Sequence, residues 1–231
     1  MQGFTEFDGN TQARRLLLPL LATLLAIAGC SAAAKKAAYE PEDRDAWQHP
    51  AEVISLLDIT PGSTLVDLGS GGGYFTGRLA RATGPAGKVF AVDVDPAMNA
   101  LLGKRLDEEG IRNVAIVTAD PDDPGIAANS VDLVFVSNTY HHLPDPVRYF
   151  ARLTGALRPG GRIAILEYHL DASPFVRLFR HGTDAARIRD ELSAAGYTLL
   201  REDSLERQQL LIFRPAPAAH GPAASAGHDA S

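Results

Sequence analysis

Four glycines in five positions, Gly69-Ser70-Gly71-Gly72-Gly73, follow the apolar run Val66-Asp67-Leu68 and lead into Tyr74-Phe75. Thr64 to Leu68 reads as a short buried strand, the glycines as a tight turn, and Phe75 to Thr83 as the start of a helix. Glycine carries no Cβ, so such a turn lets bare backbone approach a ligand. Twenty residues past Gly73, Ala91-Val92-Asp93 closes a second apolar run with an acid. An acid ending the next strand is placed to take the two hydroxyls of a ribose. Together these segments predict a site for an adenosine-containing cofactor.

The glycine spacing separates two such cofactors. A dinucleotide turn wants G-x-G-x-x-G, the last glycine letting the helix N-terminus meet a pyrophosphate. Gly69 and Gly71 satisfy the first half, but Tyr74 stands where the third glycine belongs. What the chain has is Asp67-x-Gly69-x-Gly71-x-Gly73. Further segments follow in order: Lys88 to Asp93, then Val114 to Ala119 before Asp120-Pro121, then Ser130 to Asn138. Leu157-Arg158-Pro159-Gly160-Gly161-Arg162 then leads into Ile163 to Leu166. Taken together, these motifs resemble those of class I S-adenosylmethionine-dependent methyltransferases, over roughly Arg44 to Pro215. A turn built only to pack a helix is the alternative for the glycines taken alone.

The resemblance implies an α/β, Rossmann-like fold with a seven-stranded, mostly parallel sheet and helices on both faces. It also implies an antiparallel C-terminal hairpin strand. Alternation of strand and helix patterns argues independently for a parallel sheet. Expected helices are Ala51 to Leu57 after Pro50, Pro96 onward, Pro146 to Leu157, and Thr183 to Ala195 with Thr183 as N-cap and Gly196 as C-cap. Pro124 to Ala128 predicts a short helical turn. Tyr197 to Arg201 and Gln209 to Arg214 predict the closing hairpin.

The chain of 231 residues is 45% hydrophobic and 22% charged, with a net charge of −6. That suits one domain with a sizeable core. No Lys/Arg run stands out, so the electrostatic footprint of nucleic-acid binding is missing and no nucleic-acid partner is expected. Arg177, Arg180, Arg187 and Arg189 read as a solvated helix face.

Arg14-Arg15 precede Leu16 to Ala28, an apolar run too short to span a bilayer and suited to a signal h-region. Its end, Ile27-Ala28-Gly29-Cys30, resembles the lipobox of bacterial lipoproteins. The resemblance implies a signal peptide over 1–29 and lipidation at Cys30, the chain's single cysteine. A tether over 30–43, the methyltransferase domain over 44–214 and a disordered Ala/Pro-rich tail over 215–231 complete the organisation. Lipidation would anchor the chain to a membrane in the cell envelope; a cytoplasmic protein is the alternative. Export conflicts with a cofactor that is made inside the cell.

The resemblance assigns cofactor contacts to Gly69, Ser70, Gly71 and Gly73, whose backbone would approach the methionine carboxylate, and to Asp93 and Val94 at the ribose. Asp120 with Pro121 would stand at the adenine, and Asn138 beyond the fourth strand. Asp67 either holds the glycine turn or meets the cofactor's ammonium through a water, and a plain acid at the helix N-terminus is the equal alternative. Asp95 is the fallback for Asp93, or else a helix-opening acid, and Asp120 is otherwise part of a solvated loop.

His141, His142 and Glu167 are the catalytic candidates, with His169 expected to converge on them. A neutral imidazole suits a general base, and His142 matches a histidine frequent in small-molecule members of the family. Structural hydrogen bonding of the loop stands beside that reading. Adjacent histidines are expected to point apart and no helical His pair exists, so no metal ligand is assigned. Trp47 is either an aromatic lid or core.

The functional expectation is S-adenosylmethionine-dependent methyl transfer to a small molecule. The alternatives are a non-catalytic, membrane-tethered cofactor-binding module and, less favoured, an NAD(P)-dependent oxidoreductase.

Overall fold

The computed structural model describes residues 43–179 and 181–217. The signal peptide, Cys30, the tether up to Glu42 and the tail from Ala218, with His220 and His228, lie outside the described residues. No helix among the described residues is long and apolar enough to cross a membrane.

The elements follow in the order α1 (Arg44–Gln48), α2 (Pro50–Leu56), β1 (Thr64–Leu68), α3 (Thr76–Thr83), β2 (Lys88–Asp93), α4 (Pro96–Glu108), β3 (Val114–Thr118) and β4 (Val131–Ser137). A 3-10 turn, Tyr140–His142, leads to α5 (Pro146–Leu153), and a second, Thr154–Ala156, to β5 (Leu157–Tyr168). Then come α6 (Pro174–Phe179), α7 (Ala185–Ala194), β6 (Tyr197–Ser204) and β7 (Gln208–Pro215). They form one sheet of order β3-β2-β1-β4-β5-β7-β6. β1 pairs parallel to β2 and β4, β2 to β3, and β4 to β5. β7 runs antiparallel to both β5 and β6. This is the Rossmann-like, seven-stranded architecture that the resemblance implies, with the parallel sheet that the strand–helix alternation predicts.

Period-two alternation along the strands divides the core between two faces. Val66, Val134, Ile163, Ile165 and Phe213 join Phe150 and Leu153 of α5 and Ile188 and Leu192 of α7. Leu65, Phe135, Ala164, Leu210 and Ile212 join Val53 of α2 and Leu79 and Ala80 of α3. The central strands are therefore buried on both sides, as helix-covered parallel sheets require. Edge strands β3 and β6 alternate with exposed positions.

Several expected boundaries shift. Asp184, not Thr183, caps α7 by accepting from the Ala186 amide, because its carboxylate reaches the free amides of the first turn. No helix forms at Pro124 to Ala128. The helix expected to reach Leu157 ends at Leu153 in a 3-10 turn. β5 begins at Leu157 rather than Ile163, with a register irregularity between Val131 and Leu133 of β4. β7 runs past the domain boundary placed at Arg214, through Pro215, and the Ala216 amide donates to the Gly196 carbonyl at 2.8 Å. Trp47 is core, 8% exposed and 5.7 Å ring to ring from Tyr168.

Three tyrosines tie α5 and its neighbours to the sheet. Burial, reinforced by donation to Glu191 at 2.5 Å, pushes the Tyr140 phenol far above its usual 10.0. Burial and the nearby Asp123 raise Tyr149, and burial raises Tyr197 to about 12. A folded pKa above the unfolded value means the native chain keeps protons that the unfolded chain releases. Their stabilisation is complete below pH 10 and declines as pH rises beyond it. Denaturant titrations at stepped pH should show stability falling above pH 10, and the fall should flatten in a triple Tyr→Phe variant of 140, 149 and 197.

Candidate functional site

The site forms where strand order reverses. From β1 the chain builds outward through β2 and β3, then returns to place β4 on the other side of β1. The loops leaving the carboxyl ends of β1 and β4 start at this point, where doubly wound sheets place their ligand crevice, and they meet where Thr139 packs on Gly69.

The glycine turn crosses the end of β2. The Gly69 and Ser70 amides donate to the Val92 carbonyl at 2.8 and 3.1 Å. Gly69, Gly71 and Gly73 take φ of 72°, 52° and 87°, a region that penalises any Cβ. Two of these glycines are also required by packing. A Cβ on Gly69 would stand 2.1 Å from Thr139 Oγ1, and one on Gly73 would stand 2.3 Å from Leu102 Cδ1. At Gly71 the nearest protein atom, Met98 Cε, is 4.0 Å away. That glycine faces open space beside the Asp93 carboxylate.

Asp93 organises this turn. Its Oδ2 accepts from the Gly71 amide and its Oδ1 from the Asp95 amide, both at 2.8 Å. Asp95 itself caps α4 by accepting from the Ala97 amide, so of its two expected roles the helix-opening one is realised. Val94 is an apolar side chain left 55% exposed next to Asp93. The Ala119 amide donates to the Asp93 carbonyl, which brings the exposed Asp120–Pro121 corner to the same edge. Asp67 is 2% exposed and accepts from the Thr76 hydroxyl at 2.6 Å. It therefore fastens α3 to β1 behind the glycine turn. The Ser70 hydroxyl is buried and has no hydrogen-bond partner among the described residues, and neither does that of Ser137.

Gly71→Ala follows from this geometry. The methyl meets only Met98 Cε, at an ordinary contact distance of 4.0 Å, so the fold should lose only about 1–2 kcal/mol for the left-handed backbone. Ligand binding at the turn should suffer far more. Thermal melting beside calorimetric titration checks the separation.

Asn138, at φ 50° after β4, continues the crevice. Its side-chain carbonyl accepts from Gln208 Nε2 at 2.7 Å, and Gln208 in turn accepts from Gln48 Nε2 at 2.8 Å. This amide relay from α1 through β7 was not foreseen, because nothing in the sequence joins residues so far apart.

The histidines lie alongside. Glu167, fully buried at the end of β5, accepts through Oε2 from His141 Nδ1 at 2.9 Å and through Oε1 from the Tyr168 amide at 2.9 Å. An ionised carboxylate can only accept, which puts the proton on His141 Nδ1 and turns the Nε2 lone pair toward His181. His142 does not point away. The tight turn at Tyr140–His142 sets the two rings 4.1 Å apart. The expected fourth member, His169, turns instead toward the Leu205 carbonyl at 3.3 Å. His181 takes its place, with Nδ1 3.3 Å from His141 Nε2. Partial burial of its ring, with His141 and His181 beside it, holds His142 below its usual 6.5.

His181 lies past α6, in a stretch without a motif. The one local signal is Gly182. A Cβ there would come within 2.7 Å of the Tyr168 carbonyl, so glycine alone lets this segment lie against the end of β5.

Comparison with known proteins converges on the same elements. Residues 66–165 match the methyltransferase domain family. The match runs from β1 through β5 and holds the glycine turn, Asp93 and the histidine turn. Outside it lie Glu167 and His181. Over 131 residues the chain is 34% identical to the aklanonic acid methyltransferase of Streptomyces sp. (strain C5), covering 57% of this chain and 56% of that protein. It is 33% identical over 113 residues to the nocamycin O-methyltransferase of Saccharothrix syringae, covering 49% and 40%. The chain thus spans about half or less of the length of these curated relatives. In fold it resembles a SAM-dependent methyltransferase from Aquifex aeolicus, with a TM-score of 0.71 at 22% identity over 78% of this chain and 96% of the other.

Proposed function

We propose that the chain binds S-adenosylmethionine in the crevice between the β1 and β4 loops and transfers its methyl group to a small molecule. The observation carrying this reading is the glycine turn, where Gly71 faces open space beside a carboxylate already aimed by two backbone amides. The relatives named for aklanonic acid and nocamycin methylation support a small-molecule acceptor.

The residues suit the cofactor's chemistry. The partnerless Ser70 hydroxyl and the backbone of Gly69, Gly71 and Gly73 would hold the methionine end. Asp93 would take the ribose hydroxyls and the exposed Val94 side chain would cover an apolar ring face, with Asp120, Pro121 and Asn138 around it. Bound there, S-adenosylmethionine would supply an activated methyl for in-line displacement by a lone pair of the acceptor, with the bonding pair left on the departing sulfur. Such a displacement depends mainly on alignment, which is worth about 7–11 kcal/mol in favourable cases. Where the acceptor must lose a proton, the neutral imidazole of His142 takes it, with Glu167 holding His141 beside it.

Calorimetric titration with S-adenosylmethionine, S-adenosylhomocysteine and NAD tests the reading. Binding of the first two is expected, and binding of NAD alone would overturn it.

Lipidation at Cys30 is the second part of the proposal, resting on the lipobox-like end of the apolar run. Wild type should fractionate with membranes and Cys30→Ala should not. A ligand co-purified with each fraction and identified by mass spectrometry tells whether a membrane-held form meets the cofactor.

A further inference from the structure

We propose that His141, His142 and His181 form a binding site for one divalent transition-metal ion of the zinc type. Each ring offers one nitrogen, and the three nitrogens lie within 4.8 Å of one another. Two nitrogens bound to one tetrahedral zinc at about 2.0–2.1 Å stand roughly 3.3 Å apart. The His141 Nε2–His181 Nδ1 separation is already 3.3 Å. His142, the most exposed of the three, offers the third nitrogen from within 4.8 Å of the other two.

The surroundings are those of a metal-ligating imidazole. Glu167 is fully buried and accepts from His141 Nδ1 at 2.9 Å. That bond fixes the tautomer, aims Nε2 at the cluster and raises its basicity, the arrangement of a carboxylate–histidine–metal unit. Without an ion, two imidazoles meet nitrogen to nitrogen and share one proton between them. With an ion, both lone pairs are used.

An all-imidazole set suits zinc, copper, nickel or iron rather than magnesium or calcium, which take oxygen ligands. Three protein ligands leave the fourth tetrahedral position for water or an oxygen of a bound molecule. The ion would also tie the segment after α6 to the loop after β4. In that loaded state His142 is a ligand, and proton removal by its free imidazole belongs to the metal-free form. The site stands on ring geometry and does not rest on the methyl-transfer reading.

The test uses the untagged full chain, stripped with a chelator and titrated with Zn²⁺ against a chromophoric competitor, and with Co²⁺ followed by visible absorption. One ion per chain is expected, with the intense absorption of a low-symmetry, nitrogen-ligated cobalt. Glu167→Gln should weaken binding about 10- to 100-fold, since the amide no longer fixes the His141 tautomer. His142→Ala and His181→Ala should weaken it at least as much, and replacing His220 and His228 by Ala should leave it unchanged. His142 is exposed, so its variant keeps the fold and the experiment stays decisive. Unchanged affinity in His142→Ala, or no binding by wild type beyond that of the triple His→Ala variant, overturns the proposal. Cofactor titration on the same samples keeps its outcome separate from that of the methyl-transfer reading.

Discussion

Replacing Asp93 by alanine should weaken S-adenosylmethionine binding by roughly 100-fold or more. Hydrogen bonds to a charged acceptor contribute about 1.5–3 kcal/mol each. Two ribose hydroxyls on one carboxylate therefore correspond to at least two decades of affinity. The loss has a second source. The same carboxylate restrains the Gly71 and Asp95 amides at 2.8 Å, so its removal also frees the turn proposed to meet the methionine end. Asp93→Asn keeps one acceptor oxygen and should fall between alanine and wild type. Calorimetry gives the affinities, and circular dichroism checks that the sheet is intact. Wild-type affinity in Asp93→Ala would remove Asp93 from the ribose.

Gly69→Ala should cost the fold roughly 2–5 kcal/mol, combining left-handed strain with overpacking. The new methyl would sit 2.1 Å from Thr139 Oγ1, 2.4 Å from its Cγ2 and 2.7 Å from its Cβ. Threonine has no rotamer that clears all three contacts, because the Cβ is itself too close. Thr139 is also held by its bond to the Ser137 carbonyl at 3.0 Å. The clash is therefore a property of the pair, and a double-mutant cycle isolates it. In a Thr139→Gly background the same Gly69→Ala change should cost only about 1–2 kcal/mol, the backbone term. Equal losses in both backgrounds, measured by denaturant titration, would show that the β1 and β4 loops do not abut. Beside Gly71→Ala, this pair distinguishes a glycine needed by the protein from one needed by its ligand.

Much of the site was legible because it is local. Gly69 to Gly73, Asp67 and Asp93 each end or follow a strand whose period-two burial is written in consecutive residues, and β1 and β2 fall at the expected positions. Boundaries governed by competition between neighbours were less legible. Thr183 and Asp184 both suit an N-cap, and only the backbone at Asp184, extended at ψ 138°, settles which one serves. At Asp67 the structural partner, the Thr76 hydroxyl, came only from the tertiary contact between α3 and β1.

The histidine cluster shows where local reading ends. Adjacent residues were expected to diverge, as they do along a strand or around a helix. A 3-10 turn at Tyr140–His142 instead brings their rings within 4.1 Å of each other, tilted by 44°. His169 is next but one to Glu167 in the chain, yet the sheet sends it toward the β6–β7 hairpin. His181, forty residues from His141, arrives because Gly182 lets its segment lie on Tyr168.

By itself the sequence determined the order of strands and helices, the glycine turn and the acid after it, since these follow from periodicity and from the absence of a Cβ. Only the tertiary structure decided which long-range neighbours complete the site: Thr139 against Gly69, Gln208 on Asn138, His181 on His141. Those pairings depend on strand order and on the space left between loops, and no spacing along the chain encodes either.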